Sequence, residues 1–252
     1  MITIKSKTEI EKMRVAGKIT GLTLVEVSKH IRPGVSTAEL DKIARDFIKR
    51  QGATPSFLNY NGYPANICAS VNDAVVHGIP SKDIILKEGD IISIDVGAYK
   101  DGYHGDAART YGVGKISDEA ARLIAVTKQS FFEGIKNAVH GAKLGDISAA
   151  IQEYVEDNGY SVVRDLVGHG IGKKMHEDPS VPNFGHYGRG VKLASGMTLA
   201  IEPMVNVGEY DVVVLDDDWT VVTEDGSLSA HYENTVLITK GKPEILTLYD
   251  EV

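Results

Sequence analysis

The stretch SIDVGAYKDGYHGDAART, Ser93 to Thr110, carries two β-type runs on either side of Asp101-Gly102. An Asp-Gly pair between such runs is a strong hairpin signal, because both residues tolerate the positive φ of a tight turn. Closing the hairpin there pairs Lys100 with Tyr103, Gly97 with Asp106 and Asp95 with Ala108. Side chains alternate across a strand, so Asp95 and Asp106 become diagonal neighbours on one face. The runs around them, Ile91 to Ala98 and Tyr103 to Tyr111, are apolar enough to be buried. Two carboxylates on one face of a buried sheet repel each other and lose their hydration, so something must compensate them.

Working outward, the segment before the hairpin reads as helical. Thr8-Glu9-Ile10-Glu11 has the spacing of a capping box ahead of an amphipathic run ending near Ile31 to Gly34. Ser36-Thr37-Ala38-Glu39 repeats the device; Leu40, Ile43, Ala44, Phe47 and Ile48 then mark one helical face, and Gly52 is a stop. Ala53 to Pro80 reads as irregular. Beyond the hairpin, Ser117 to His140 and Asp146 to Gly159 read as helices, and Trp219 to Thr239 as a second hairpin.

A repeat organises these pieces. Shifting the chain by 107 residues lays Gly34 on Gly141, Ala44 on Ile151 and Gly52 on Gly159. The same shift lays LKEGDIISIDV (Leu86 to Val96) on LASGMTLAIEP (Leu193 to Pro203), with Asp95 on Glu202. Two segments agreeing at one offset predict two αβ halves in one domain around a shared sheet. The partner of Glu202 is then Glu233, 31 residues on rather than 11, which implies an insertion of about 20 residues between Met204 and Trp219.

Composition bounds the function. The 252 residues can bury a sizeable core, and the apolar and charged fractions are ordinary for a globular protein. No signal peptide is visible, no run is long enough to span a bilayer, and one cysteine, Cys68, allows no internal disulfide. A cytoplasmic, monomeric protein without membrane partners is expected. A net charge of -8 argues against a nucleic-acid binder. GHGIG lacks the dinucleotide-binding glycine spacing, HEDP is not HExxH, and VGKIS is not a phosphate-binding loop.

A single acid in a strand ordinarily faces solvent. Asp95, Asp106, Glu202 and Glu233, all set in apolar runs, are better explained by two divalent cations, whose four charges neutralise them. Oxygen ligands plus an imidazole suit Mn, Fe, Co or Zn, and His169 in LVGHGIG and His176 in KKMHEDP are the imidazole candidates. His30, His104, His140, His186 and His231 have no comparable claim, although His104 and His231 lie two residues from an acid and could support the ligands.

The ordered set Asp95, Asp106, His169, Glu202, Glu233 resembles the five-ligand dinuclear site of the methionine aminopeptidases. The resemblance extends to NGYPANICASVND, VVHGIP, IDVGAYKDGYHGD, GHGIG, AIEPM and SAHYE, in order along nearly the whole chain, and is nearest to the short bacterial type I form. It implies the α+β pita-bread fold: a single catalytic domain over 1–252, with pseudo-symmetric halves of roughly 1–113 and 114–252 around a curved antiparallel sheet.

The resemblance further implies that Asp106 and Glu233 bridge two metals, Asp95 holds one, and His169 and Glu202 complete the other. Glu202 would also act as general base. His77 and His176 would hydrogen-bond the scissile amide and its oxyanion. Tyr60, Tyr63, Cys68 and Trp219 would form the methionine pocket, with Met175 where the family commonly has Phe and Phe57 where many members have Cys. Asn72, Ala74 and Ser229 match positions that hold a monovalent cation in some members. The implied activity is removal of the initiator methionine from nascent chains, with a transient contact to the ribosome. Prolidases and aminopeptidase P share the ligands but carry a further N-terminal domain; creatine hydrolases and non-enzymatic relatives lack the ligand set.

Overall fold

A computed structural model describes residues 1–249. In chain order the described elements are α1 (Lys7–Ser28), α2 (Thr37–Arg50), β1 (Thr54–Pro55), β2 (Cys68–Val71), β3 (Ala74–Val76), β4 (Ile91–Lys100), β5 (Tyr103–Gly112), α3 (Asp118–Ile135) and α4 (Leu144–Asp157). They continue as β6 (Ser161–Val162), β7 (Gly168–Gly170), β8 (Glu177–Val181), β9 (Thr198–Ile201), β10 (Met204–Asn206), β11 (Val212–Val214), β12 (Val221–Thr223), β13 (Ser229–His231), β14 (Asn234–Leu237) and β15 (Glu244–Ile245). The ladders are antiparallel and fall into four sheets, ordered β1-β4-β2 with β5 on β4, β13-β10-β6, β11-β12-β3 and β15-β14-β9-β7-β8.

The β4–β5 hairpin has the register read from its turn: Lys100 opposite Tyr103, Gly97 opposite Asp106, Asp95 opposite Ala108. Asp101 and Gly102 take φ of 50° and 88°, as the turn requires. Helix α1 begins two residues earlier than expected, because Ser6 and Glu9 form the reciprocal box in place of Thr8 and Glu11. Helix α2 carries the predicted box between Ser36 and Glu39. Helix α3 stops at Ile135 rather than His140: the chain leaves it so that His140 N–H can reach the Thr239 carbonyl at 3.0 Å.

Two expectations are corrected. The segment Ala53 to Pro80 contains the short strands β1, β2 and β3, whose partners lie in β4 and β12. Trp219 to Thr239 is not a hairpin: β12 pairs with β11 and β3, β13 with β10, and β14 with β9 and β15. The inserted residues after Met204 form β10 and the β11–β12 hairpin, whose turn carries Trp219.

The apolar interior has two main clusters. One gathers Ile19, Leu40, Ile48, Ile67, Ile92 and Ile94 beneath α1 and α2. The other gathers Leu123, Phe131, Ile147, Ile151, Leu199 and Ile201 beneath α3 and α4. The carboxylates sit where these two bodies meet.

Candidate metal centre and active site

The two bodies are stitched together along β5. Glu233 N–H donates to the Ala108 carbonyl at 3.0 Å, and Ala108 N–H returns the bond to the Glu233 carbonyl at 3.3 Å. Thr235 repeats the exchange with its hydroxyl, accepting from Asp106 N–H and donating to the Asp106 carbonyl, both at 3.0 Å. Arg109 donates to the Glu233 carbonyl at 2.6 Å and to Asn234 Oδ1 at 2.8 Å, and its guanidinium lies 4.2 Å from the Tyr232 ring centroid. Asp106 and Glu233 are therefore held face to face by backbone geometry, whatever their charge.

Glu202 and Glu233 each lie one residue beyond the last β9–β14 rung, Ile201 opposite Asn234. Asn183 Nδ2 donates to the Glu202 carbonyl at 2.9 Å. His169 occupies a bulge between β7 and β8, an irregularity that re-aims a side chain. Its Nδ1 lies 2.8 Å from the Gly170 carbonyl, which can only accept. The proton is therefore on Nδ1, leaving a lone pair on Nε2, which stands 3.6 Å from both Asp106 Oδ2 and Glu202 Oε1.

Asp106, His169 and Glu233 each offer a ligand atom, all within 4.8 Å of one another. Asp95 Oδ1, Asp106 Oδ1 and Glu233 Oε1 are buried without a hydrogen-bond partner among the described residues. Burial, then mutual repulsion, raises the carboxyls of Asp95, Glu202 and Glu233 well above the usual range. Burial pushes Asp106 up to about 8 and lowers His169 to about 4. Acids this disfavoured, beside a neutral imidazole with its lone pair directed at them, fit a site for divalent cations.

The expected catalytic histidines and pocket residues, His77, His176, Tyr60, Tyr63, Cys68 and Trp219, border the same cavity, of about 370 Å³. His176, exposed at its mouth, places Nδ1 2.7 Å from the Tyr60 hydroxyl and its ring 4.1 Å from that of His169. His77 takes a left-handed φ of 60°, a strained conformation for a non-glycine residue. Burial keeps its imidazole neutral by lowering its pKa. Tyr63 and Trp219 meet edge to face with centroids 5.0 Å apart. Cys68 pairs with Asp95 across β2 and β4. Phe57 and Met175 complete the apolar wall. Gly97 has to be glycine, because an added Cβ would lie 2.7 Å from both Ser56 Cβ and Phe57 Cε1.

Asn72 and Ser229 also come together, Ser229 N–H donating to the Asn72 carbonyl at 2.9 Å. Of the two tempting histidines, His104 turns to the Ser56 hydroxyl at 2.9 Å. His231 is buried with Nε2 3.9 Å from Glu202 and 4.0 Å from Glu233. Sequence reasoning passed over Arg109 and Asn183, whose contacts to ligand backbones are set by partners far along the chain.

A fold of two αβ bodies clasping buried carboxylates and an imidazole defines a class: the chain belongs to metallopeptidase family M24, whose profile matches residues 11–240. Within that family it is 64% identical over 248 residues to the methionine aminopeptidase of Clostridium acetobutylicum, covering 98% of this chain and 99% of that one. The methionine aminopeptidase structure from Thermotoga maritima superposes with a TM-score of 0.97 at 49% identity, covering 99% and 100% of the two chains. The prolidase of Pyrococcus furiosus shares the fold at a TM-score of 0.79 and 24% identity, this chain spanning 66% of its length. The pita-bread architecture expected from the sequence is thereby established.

Proposed function

We infer that the protein is a metal-dependent aminopeptidase that removes the N-terminal methionine from nascent proteins and peptides. The observation that carries this reading is the convergence of five ligand-type side chains, two histidines and an apolar wall on one cavity. The relatives favour methionine over proline-directed cleavage, with identities of 64% and 49% to methionine aminopeptidases against 24% to a prolidase.

In this reading Asp95, Asp106, His169, Glu202 and Glu233 hold two divalent ions drawn from Co, Mn, Fe or Zn. When bound, such ions acidify water and polarise a carbonyl. Glu202 takes the proton from the attacking water and passes it to the leaving amine, its backbone steadied by Asn183. With the Tyr60 hydroxyl as donor to Nδ1 of His176, 2.7 Å away, that ring's proton would stand on Nε2, ready for the developing oxyanion. His77 supplies a second neutral donor. Tyr63, Cys68 and Trp219, with Tyr60, enclose an unbranched thioether side chain.

The finer proposals are a single catalytic domain over 1–252, a monovalent cation beside Asn72, Ala74 and Ser229, and a cytoplasmic monomer touching the ribosome transiently. The decisive experiment strips the metal and assays Met-Ala-Ser against Ala-Pro tripeptides with Mn, Co or Fe restored. Methionine release should return with metal and fall about 10²–10⁴-fold in Glu202→Ala. Cleavage only before proline would transfer the chain to the proline-directed peptidases.

A further inference from the structure

His176 stands exposed at the cavity mouth, its ring held by a hydrogen bond to Tyr60 and by contacts with the Tyr60 and His169 rings. Where that ring can reach is set in addition by its backbone, which ends the loop between β7 and β8. The first residue of β8, Glu177, is the anchor of that loop. One carboxylate oxygen accepts from the Lys174 peptide N–H at 3.2 Å. The other accepts from Lys5 Nζ and from the Thr3 hydroxyl, both at 2.6 Å. A single carboxylate thus pins both ends of the segment Lys174 to Glu177, which delivers Met175 and His176 to the cavity.

The other half of the device is the segment before α1. Lys5 is 8% exposed, an unusual burial for a lysine, and its side chain also bonds the Thr3 hydroxyl. Its peptide N–H donates to the Gly196 carbonyl at 2.8 Å, fixing it to the turn ahead of β9, the strand that leads into Glu202. The loop rests directly on the ion pair: a Cβ added at Gly172 would lie 2.6 Å from Lys5 Cε and 2.7 Å from Glu177 Oε1. A buried ion pair is a poor way to gain stability, since apolar side chains of similar size serve as well or better. It is a good way to fix one loop geometry.

We propose that Lys5, Thr3 and Glu177 form a clamp that positions His176 for the reaction. They are positioning residues, and the inference rests on the reading that His176 contacts the scissile amide. The interaction of His176 with an oxyanion exists in the transition state and not in the ground state. Loss of the clamp therefore lowers kcat and kcat/KM together and leaves KM unchanged.

The test is a set of double-mutant cycles on metal-loaded protein cleaving Met-Ala-Ser, with circular dichroism and metal content measured on each variant. Lys5→Met should lower kcat about tenfold, as misplacement of a catalytic group does, with KM within about twofold. In a His176→Ala background the same change should cost less than about twofold. Thr3→Val, a milder change at an exposed position, should show the same pattern at smaller size and decides the matter if Lys5→Met does not fold. The His176 ring signal in a proton–carbon NMR spectrum, identified by its loss in His176→Ala, should shift in both variants. Equal losses in the two backgrounds, or losses that track only folded fraction or metal content, would overturn the clamp. Wild-type kcat in His176→Ala would instead refute the assignment of His176, and the clamp with it.

Discussion

Asp106 shows at the scale of one residue how a site prepared for cations behaves without them. Its carboxyl, pushed up to about 8 from an ordinary 3.8 by burial, keeps a proton in the folded protein that the unfolded chain has already released. The native state then binds more protons than the unfolded state, so stability falls as pH rises. Burial also lowers the imidazoles of His77, His104, His169, His176 and His231, which oppose this trend only while the unfolded chain still protonates them, up to about pH 7.5. Metal-free protein is therefore expected to melt at a lower temperature at about pH 8.5 than at about pH 7.5, and a rising melting temperature across that window would contradict the assignment. The acids themselves were legible in the sequence, because Asp95 and Asp106 break apolar runs at a parity the turn fixes. Their supports were not: Arg109 and Asn183 act through bonds to Asn234, Glu233 and Glu202 that no local pattern announces.

At the scale of elements, legibility followed the distance between partners. The β4–β5 hairpin could be read to the residue because two turn residues dictate its register. The run from Trp219 to Thr239 has the same alternation, yet each of its strands pairs with a segment elsewhere, and periodicity carries no record of the partner. Helix α1 illustrates a further constraint. It crosses β5 so closely that a Cβ on Gly105 would lie 2.8 Å from both the nitrogen and Cα of Gly17. Backbone atoms cannot step aside as a side-chain tip can. Gly105→Ala should therefore destabilise the protein by about 1–3 kcal/mol in urea unfolding, through separation of α1 from the sheet. An unchanged unfolding midpoint would mean that the helix has room to retreat.

Over the whole molecule, the ligand set divides between the two bodies: Asp95 and Asp106 belong to one, His169, Glu202 and Glu233 to the other. The shared offset of 107 residues made that division visible in the sequence, while the rung joining Ala108 to Glu233 became visible only in three dimensions. Cations held between the bodies act as a cross-link present in the folded state alone. Metal at a hundredfold excess over its Kd should stabilise the fold by about 2.7 kcal/mol per site, seen as a higher melting temperature that a chelator reverses. Asp95→Asn with Asp106→Asn should abolish that response while leaving the metal-free fold intact or firmer, since it removes two strained acids. A melting temperature indifferent to metal would mean that the ions do not bridge the bodies.

The cavity wall carries one consequence for chemical intervention. Cys68, 4% exposed and directly across from Asp95, has its thiol pushed up first by burial and then by that carboxylate. Electrophilic drugs capture thiolates, and this sulfur is kept in the unreactive form by its burial and then by the neighbouring acids. A covalent warhead aimed at the lone cysteine would find a small greasy surface in place of a nucleophile. Selective ligands would have to exploit shape instead, at Phe57 and Met175 on the apolar wall of the cavity.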